Sequence, residues 1–563
     1  MNSAIWVVSP PSPEAEALAE ALSLPPTIAR VLVNRKVLTA DDAKAFLRGG
    51  LEGLHDPFLM KGMDRAVDRV RAAIDRGEKI LVFGDYDVDG VLSTVMLLKA
   101  LSALGAKAEY FIPERLTDGY GIKDEHVEIP VERGASLVIS VDCGIKAVEF
   151  TARARERGID VIVTDHHRPG EVLPDAVAVL DPVLEGSGYP ERGLAGVGVA
   201  FKLIQALLQG SDREAGLPHY LKLVAIGTVA DVAELRGENR LFVKHGLAGL
   251  RSVSNPGLRC LIEACGLGQR KISEGDLGFR IGPRINAAGR MGMTDLAVRL
   301  FLAEDAGESL ALVRRLDELN AQRQKTEERI FNEARERVEE RGLDRRYKCL
   351  VLGSPGWHRG VIGIVASKLK DRFHRPVVLF ACEDGKAYGS GRSVADVPLI
   401  DLLEECRHLF LSYGGHKLAV GCTLPVDRLP AFKETLNPLA EARIPEDSLR
   451  RKLRIDAPLD FRAIDDGFLE ALGWLVPFGV GNPKPLFVAE DVEVVSEPQV
   501  LQGKHLKFLA RQGGRVLEAL GWDKADWRHV LRRGCRVSLA FSVARSEYLG
   551  EPKTNLFIED LRV

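Results

Sequence analysis

Short apolar runs alternate with amphipathic stretches through the first half of the chain. The strand-like runs are KILVFGD, AEYFIP, SLVISVD, DVIVTD and AVAVLDP, and helical patterns such as GVLSTVMLLKALSALGA and KAVEFTARARERG lie between them. This alternation predicts a parallel sheet that helices cover on both faces. An amphipathic helix over about residues 64–77 precedes the sheet. Two more helical stretches, GLAGVGVAFKLIQALL and HYLKLVAIGTVADVAEL, close this domain near residue 245.

The pattern changes several times in the rest of the chain. Proline-interrupted short helices are expected at the N-terminus, and a long charged helix from about 310 to 340 is expected at the end of a helical connector. A second, smaller α/β unit begins at Lys348, and short strands at regular spacing near the C-terminus predict a small β-barrel of the OB type. The predicted fold class is α/β multidomain, with segments 1–60, 61–245, 246–345, 346–445 and 446–563.

Composition narrows the class of protein. A chain of 563 residues is too long for one hydrophobic core. Its eight cysteines form no C-x-x-C pair, which favours reduced thiols in a cytoplasm over a disulfide framework or a zinc ribbon. The sequence has no run of about 18 apolar residues and no secretory pattern at its start, so we expect neither a membrane span nor export. The net charge of -3 means that a nucleic-acid partner would have to bind a local patch.

Acidic residues follow three of the predicted strands directly. Because the carboxyl ends of parallel strands meet at one edge of a sheet, these side chains should converge on one crevice, with two adjacent histidines and an acid from a later helix. The set comprises Asp85, Asp87, Asp89, Asp142, Asp165, His166, His167 and Asp231.

Such a cluster of like charges needs positive charge to offset it. Carboxylates and histidines without cysteine suit hard or borderline divalent ions, so the sequence predicts two Mn²⁺ or Mg²⁺ ions. Two such ions about 3.5–4 Å apart can clamp the attacking and leaving oxygens of a phosphoryl displacement. Any single aspartate here could instead be a helix cap, but the joint pattern is much harder to obtain by chance.

Four motifs in this half resemble those of the DHH phosphoesterase family, in the same order. They are DYDVDG, VDCG, TDHH and GTVADV. Downstream, GGHKLAVG resembles the GGH motif of the associated DHHA1 domain. Three further stretches, GPRINAAGRMG, SGRS and PFGVGNPKPLF, are similar to the single-strand-specific DNA exonucleases within that family. The resemblance covers nearly the whole chain.

The resemblance implies roles for individual residues. It makes the family's metal ligands Asp87, Asp89, Asp142, His166 and Asp231. It places His167 against the scissile phosphate, and Asp165 would orient the histidine pair. Many family members have a histidine where this chain has Phe83, so either Asp85 fills part of that role or one ion is bound more loosely.

A second set of residues is expected to bind phosphate. Glycine lets backbone N–H groups approach an anion, and arginine binds phosphate bidentately. Taken alone, GGH and SGRS could be ordinary turns, but the resemblance implies that SGRS holds the 5′ end of a strand. The predicted set comprises Arg280, Arg284, Asn286, Arg290, Ser390, Arg392, Ser393, Gly414, Gly415 and His416.

The resemblance therefore implies a 5′→3′ exonuclease that hydrolyses single-stranded DNA to mononucleotides in DNA repair and recombination. We expect a cytoplasmic monomer that meets helicases and single-strand-binding protein. One alternative is a phosphoesterase of the same family that acts on oligoribonucleotides, cyclic dinucleotides or pyrophosphate. The other is a non-catalytic strand-binding scaffold, which the intact ligand set disfavours.

Overall fold

A computed structural model of the chain describes residues 4–115, 119, 121–548 and 551–563. The described residues form two compact units. The barrel unit comprises those up to Leu54, those of Glu234–His245 and those of Arg451–Val563. The two-sheet unit comprises those of His55–Ala233 and Gly246–Arg450.

The helices follow one another along both units. In chain order they are α1 Pro13–Leu22, α2 Pro26–Asn34, α3 Ala40–Arg48, α4 Met63–Asp75, α5 Val88–Ala103, α6 Glu128–Glu132, α7 Val148–Glu156, α8 Gly196–Leu208, α9 Leu221–Ala230, α10 Gly237–Gly249, α11 Pro256–Ala264, α12 Glu274–Asp276, α13 Gly282–Arg290, α14 Asp295–Leu302, α15 Ala306–Glu340, α16 Leu343–Arg346, α17 Ile362–Phe373, α18 Leu399–Glu404, α19 Leu429–Arg443 and α20 Asp466–Trp474.

Within the part of the chain that the structure describes, the strands form four sheets. In chain order they are β1 Ile5–Val8, β2 Lys79–Gly84, β3 Lys107–Phe111, β4 Leu137–Val141, β5 Asp160–Thr164, β6 Ala178–Leu180, β7 Leu350–Pro355, β8 Val377–Glu383, β9 Lys386–Arg392, β10 Ser412–Gly415, β11 Ala419–Pro425, β12 Lys452–Ile455, β13 Ala457–Pro458, β14 Phe487–Val494, β15 Gln499–Leu501, β16 His505–Gln512, β17 Arg515–Gly521, β18 Arg536–Tyr548 and β19 Glu551–Arg562.

The first sheet of the two-sheet unit is parallel throughout, in the order β3-β2-β4-β5-β6. Strand β4 is buried along its whole length, as a strand covered on both faces must be. All five strands were predicted from their apolar runs, and the parallel-sheet prediction is confirmed. Helix α5 is almost entirely buried, which explains its continuous rather than striped apolar pattern.

The second sheet is mixed, in the order β10-β11-β9-β8-β7. Only β7 and β8 pair in parallel, and the other neighbours are antiparallel. The glycine-rich GGHKLAVG stretch is the end of β10, a short turn and the start of β11. The sequence pattern does not show this hairpin, because its first strand is exposed and poor in apolar residues.

One helical run connects the two sheets. Helix α12, a π-helical turn over Leu277–Ile281 and α13 follow each other without a break. Helix α15 is 35 residues long and buries one stripe that includes Leu312, Leu316 and Ile330. The long charged helix predicted for this region is thus confirmed.

The barrel unit is closed by β14, β18, β19, β17 and β16, with β16 pairing back to β14. This five-stranded closed barrel confirms the predicted OB-type domain. Residues from α1, α2 and α3, among them Ile28 and Leu32, share its hydrophobic core with Phe487 and Phe541. The prediction of only short helices near the N-terminus is wrong for Ile5–Val8, which pairs in parallel with β12. This short segment is a strand because its backbone pairs with a strand far along the chain.

Candidate metal centre and cleft

Four parallel strands of the first sheet each end in an aspartate. Asp85, Asp142 and Asp165 follow β2, β4 and β5, as the sequence predicts. Asp181 follows β6 and was missed, although the stretch AVAVLDP shows it. Because the strands are parallel, all four carboxylates lie at one edge of the sheet, and each is almost fully buried.

Asp87 and Asp89 lie at the start of α5. One carboxylate oxygen of Asp87 caps this helix by accepting the N–H of Asp89 at 2.8 Å and that of Gly90 at 3.2 Å. The two oxygens of Asp89 accept the N–H groups of Gly196 at 2.7 Å and Val197 at 2.8 Å, at the N-terminus of α8. Two helix N-termini therefore direct their positive dipole ends at this pair of carboxylates.

Asp142 has a strained backbone. Its φ of 60° lies in the left-handed region, where non-glycine residues cost free energy and cluster at functional sites. A Cβ on Gly196 would lie 2.7 Å from Asp142 Oδ1, so only glycine fits at that position. The N–H of Gly196 therefore binds Asp89, and the absence of a side chain on Gly196 leaves the space that the Asp142 carboxylate occupies.

His166 lies at the centre of the cluster. Its Nε2 is 3.1 Å from Asp142 Oδ1 and 3.8 Å from Asp89 Oδ2, and its Nδ1 is 3.9 Å from Asp231 Oδ2. Asp231 is the residue at which α9 ends, rather than a residue within that helix. Three groups of side chains could each hold a metal ion, their ligand atoms lying within 4.8 Å of one another. They are Asp142, His166 and His167; Asp89, His166 and Asp231; and Asp85, Asp87 and Asp142.

The electrostatics of the cluster are unfavourable without a cation. Burial, followed by repulsion from neighbouring carboxylates, raises the pKa of Asp85 and of Asp142 well above the usual value. Burial raises the pKa of Asp89 to about 6 even though His166 opposes it. Burial also raises the pKa of Asp231, with Asp89 adding to the effect. Four acids in one pocket thus resist ionisation.

Unused ligand atoms point to the same requirement. Among the described residues, Asp85 Oδ1, Asp142 Oδ1 and His166 Nε2 are buried and make no hydrogen bond of acceptable geometry. A buried polar atom without a partner is costly, and bound cations would satisfy all three. The donor set of carboxylate oxygens and imidazole nitrogens fits Mn²⁺ and Mg²⁺.

Asp165 supports the two histidines. Its Oδ1 accepts the N–H of His166 at 2.8 Å and lies 2.7 Å from His167 Nδ1, and its Oδ2 accepts the N–H of Ile145 at 2.9 Å. Burial alone would raise the pKa of Asp165, but the hydrogen bond with His167 and the charge of that ring lower it below its usual value. Asp165 therefore stays ionised and fixes the orientation of His167.

Three arginines gather beside the carboxylates. Arg290 is partly buried and donates to the Gly360 carbonyl at 3.1 Å. Desolvation and the charges of Arg115, Arg323 and Arg392 lower its pKa to about 10, while Asp87 opposes the shift. Arg392 donates to Ser390 Oγ at 3.3 Å. Arg290, Ser390 and Arg392 were predicted, but Arg115 was not, because it lies in a loop without a motif. Its guanidinium lies 5.1 Å from the centre of the Tyr86 ring.

The other predicted phosphate contacts have partners within the protein. Ser393 Oγ donates to the Val397 carbonyl at 2.6 Å. Arg280 Nε lies 3.5 Å from a carboxylate oxygen of Asp276, and Arg284 Nε donates to Asp317 at 2.6 Å.

Asn286 contacts the D-x-D-x-D turn instead of extending outward. Its Oδ1 accepts the N–H of Val88 at 3.3 Å. The side chain therefore joins α13 to the residue between Asp87 and Asp89.

A cavity of about 860 Å³ separates the first sheet from the hairpin of the second. His167, Lys146 and Arg168 line one wall, and Gly414, Gly415 and His416 line the other. Burial lowers the pKa of His416, and the charges of Arg168 and Lys146 lower it further. Gly415 has φ 139°, and a Cβ there would collide with the Ala419 carbonyl, so this turn requires glycine. The predicted GGH residues thus lie opposite the D-H-H residues.

Three family models match this chain. The DHH family N-terminal domain matches residues 79–228, the DHHA1 domain matches 346–442 and the RecJ OB domain matches 455–560. The fold and the site thus define a DHH-type phosphoesterase with a metal centre at the sheet edge.

Similar proteins narrow this class further. The single-stranded-DNA-specific exonuclease RecJ of Escherichia coli is 35% identical over 96% of this chain and 96% of its own length. That of Bacillus subtilis is 38% identical over 99% of this chain and 71% of its own length. The crystal structure of Thermus thermophilus RecJ with Mn²⁺ matches with a TM-score of 0.85 at 35% identity, covering 99% of this chain and 79% of that one. The structure with Mg²⁺ matches with a TM-score of 0.78 at 33% identity, covering 99% and 78%. The chain belongs to the RecJ family.

In the part of the chain that the structure describes, no helix has both the length and the apolar character needed to cross a bilayer.

Proposed function

We propose that this protein is a metal-dependent exonuclease that degrades single-stranded DNA from the 5′ end and releases mononucleotides. The observation that carries the proposal is the buried cluster of carboxylates and imidazoles with unsatisfied ligand atoms, adjoining three arginines. Its curated relatives bear the name single-stranded-DNA-specific exonuclease.

The predicted ligands would divide between two ions that share the centre of the cluster. Asp89, His166 and Asp231 would hold one ion, and Asp85, Asp87 and Asp142 would contribute to the other. Bound Mn²⁺ or Mg²⁺ would offset the carboxylate charge, polarise the scissile phosphate and lower the pKa of a bound water, which favours its attack at neutral pH. The same cations would make the ionised forms of the aspartates favourable.

His167 is the group best placed to exchange a proton with a substrate in the cavity. It lines that cavity, and the contact between its Nδ1 and Asp165 fixes the ring. The proton held at Nδ1 leaves Nε2 as the nitrogen that accepts or donates a hydrogen bond. Asp165, which stays ionised, stabilises the ring when it carries a second proton.

The arginine group would set the direction of digestion. A terminal 5′ phosphate carries more negative charge than an internal phosphodiester. Arg290 faces Asp87, and Arg115 and Arg392 add two positive charges near Arg290. Guanidinium groups bind phosphate bidentately, and Ser390 Oγ adds a neutral hydrogen-bonding group. The strand would enter with its 5′ end at these arginines, and the phosphodiester that follows would lie at the cations.

We further propose that the OB-type barrel extends the strand-binding path, and that the protein works as a cytoplasmic monomer together with helicases and single-strand-binding protein. The barrel surface carries Lys504, Lys507 and the exposed Trp522, a combination of charge and aromatic rings that suits single strands.

Product analysis tests the proposal directly. Single-stranded DNA labelled at the 5′ or the 3′ end is incubated with the protein and Mn²⁺ or EDTA. We expect immediate release of labelled mononucleotide from 5′-labelled DNA only, and no release in EDTA. If both DNAs stay intact with Mn²⁺ while a cyclic dinucleotide, a short oligoribonucleotide or pyrophosphate is hydrolysed, the protein is a small-substrate phosphoesterase instead.

A further inference from the structure

Phe279 is the most exposed large apolar side chain among the described residues, with 86% of its surface in solvent. Burial of a phenylalanine is normally a major source of stability, which this residue forgoes. It lies in the π-helical turn Leu277–Ile281, and such turns are rare and concentrate at functional sites. A contribution to the stability of the fold therefore does not explain why a phenylalanine occupies this exposed position on an irregular turn.

The π-helical turn packs against the last turn of α9, the helix that ends at the predicted ligand Asp231. A Cβ on Gly278 would lie 3.5 Å from a methyl of Val229, and a Cβ on Gly282 would lie 3.5 Å from Ala230. Val229 and Ala230 are in the last turn of α9, which ends at Asp231. Phe279 lies between the two glycines, so its backbone is anchored beside Asp231.

The same helical run also reaches the turn that carries Asp87 and Asp89. From Phe279 the chain continues through α13 to Asn286, which binds the N–H of Val88 between Asp87 and Asp89. Seven residues of helix correspond to about 10 Å along the axis. The backbone of Phe279 therefore lies about two helical turns from the residue that binds the turn carrying Asp87 and Asp89.

The surroundings of Phe279 suit a nucleic-acid strand. Arg280, whose side chain is 48% exposed, adjoins the ring in sequence. Val232, directly after Asp231, is 64% exposed and has a φ of 63°, a strained value for a β-branched residue. A single strand presents charged phosphates on one side and apolar bases on the other. A positive charge beside exposed apolar side chains can therefore contact both parts of the strand.

We propose that Phe279 stacks against a nucleobase of the bound single strand and so holds the next phosphodiester at the metal centre. The inference rests on the proposed function and adds a substrate-contacting residue to it. Since every base has a flat face, stacking at Phe279 needs no particular sequence. A base paired in a duplex is less available for such stacking, so Phe279 would favour single-stranded substrates.

Abasic substitution in the substrate tests this contact. Single-stranded oligonucleotides carry one abasic nucleotide, placed at each position in turn from the 5′ end, and initial KM and kcat are measured with Mn²⁺. For the wild-type protein we expect one position at which the abasic nucleotide raises KM by about 5- to 150-fold. F279A should raise KM for the intact oligonucleotide by a similar factor and abolish the extra penalty at that position. F279W should restore both the low KM and the penalty.

The controls separate this inference from structural effects and from the proposed function. Phe58, which is 41% exposed and distant in sequence, gives the matched variant F58A, for which we expect wild-type KM and the wild-type abasic profile. The thermal unfolding midpoint of F279A should match that of the wild-type protein, because the ring is in solvent. Unchanged KM in F279A, or an abasic profile identical to wild type, would overturn the inference while leaving the exonuclease activity established. Failure of the wild-type protein to digest intact DNA would overturn the proposed function itself.

Discussion

Gly196 shows how strongly the metal centre depends on one residue without a side chain. Its N–H binds Asp89 Oδ2, and its missing Cβ leaves space for Asp142. The sequence predicts a helix over this stretch, but it does not show that the first residue of the helix contacts two of the predicted ligands. The glycines of GLAGVGVAF were the available signal, and it is a weak one.

G196A tests that dependence. The added Cβ would displace the Asp142 carboxylate, so we expect Mn²⁺ affinity and exonuclease activity each to fall by about 10- to 100-fold. Isothermal titration with Mn²⁺ and initial rates on single-stranded DNA measure the two effects. G216A is the matched control, since a Cβ at Gly216 would meet no atom within 4 Å. Equal Mn²⁺ affinity in G196A and G216A would contradict the assigned role of Gly196.

Buried acids make the metal-free protein sensitive to pH. Burial raises the pKa of Asp89 to about 6 and that of Asp181 to about 7. A carboxyl with a raised pKa in the folded state stabilises the fold below its unfolded pKa of about 4, and this stability is lost as the pH rises through the folded value. In EDTA the free energy of unfolding should therefore fall between about pH 4 and pH 7.

The D181N variant measures how much of this pH dependence of the free energy of unfolding comes from Asp181. The Asp181 carboxyl contributes up to about 4 kcal/mol across this pH range, at about 1.4 kcal/mol per pKa unit, and asparagine does not titrate. Urea unfolding in EDTA at several pH values should show a shallower decline for D181N than for the wild-type protein. Parallel curves for the two proteins would show that Asp181 ionises as an ordinary exposed acid does.

At the scale of elements, α13 fixes the D-x-D-x-D turn from outside the sheet. Gly289 lies so close to this turn that a Cβ would be 2.5 Å from the Tyr86 carbonyl oxygen, and Asn286 binds the N–H of Val88. The motif that contains Asn286 predicts a contact between this side chain and the DNA backbone. The structure instead shows it bound to the chain's own backbone, so that expectation stays a prediction.

G289A should shift the turn that carries the predicted ligands. A displacement of about 1 Å can cost about 100-fold in rate, so we expect a loss of that order in kcat. Far-UV circular dichroism should remain unchanged, because alanine favours the helical conformation of α13. G473A, in α20 with no atom within 4 Å of its Cβ, should retain full activity. Wild-type kcat in G289A would show that the contact with Tyr86 is unimportant.

At the scale of the whole molecule, segments distant in sequence build one barrel unit. Arg240, from the Glu234–His245 segment, is 2% exposed and donates to the carbonyl oxygens of Phe46, Trp474, Leu475, Val476 and Pro477. Five carbonyls around one guanidinium satisfy its donors and tie the N-terminal helices to the barrel.

R240A should weaken the barrel unit severely. Removing the guanidinium leaves buried carbonyls without donors and opens a cavity, so we expect a loss of about 3–5 kcal/mol in the free energy of unfolding. Urea titration of the intact chain by tryptophan fluorescence measures it, because four of the five tryptophans, Trp6, Trp474, Trp522 and Trp527, lie in this unit. R533A removes an exposed arginine from the same unit and should cost less than about 0.5 kcal/mol. Similar losses in both variants would contradict the role of Arg240.

Features that depend on local pattern can be predicted from the amino-acid sequence alone. Apolar runs bounded by turns define the parallel strands, and aspartates at their ends must meet at one edge because the strands are parallel. The D-x-D-x-D, D-C-G and D-H-H motifs therefore predicted the location of the cluster as well as its chemistry. The long helix and the barrel strands follow equally from periodicity.

Which distant groups share one environment depends on how the elements pack in the folded protein. The strand Ile5–Val8 exists because β12 supplies its backbone partners, and no local pattern encodes that pairing. Packing between elements far apart in the chain brings Arg115 close to Arg290 and Arg392. Packing of the same kind places Gly196 against the Asp142 carboxylate. Burial then set the pKa of each acid, since desolvation depends on everything that surrounds a group rather than on its neighbours in sequence.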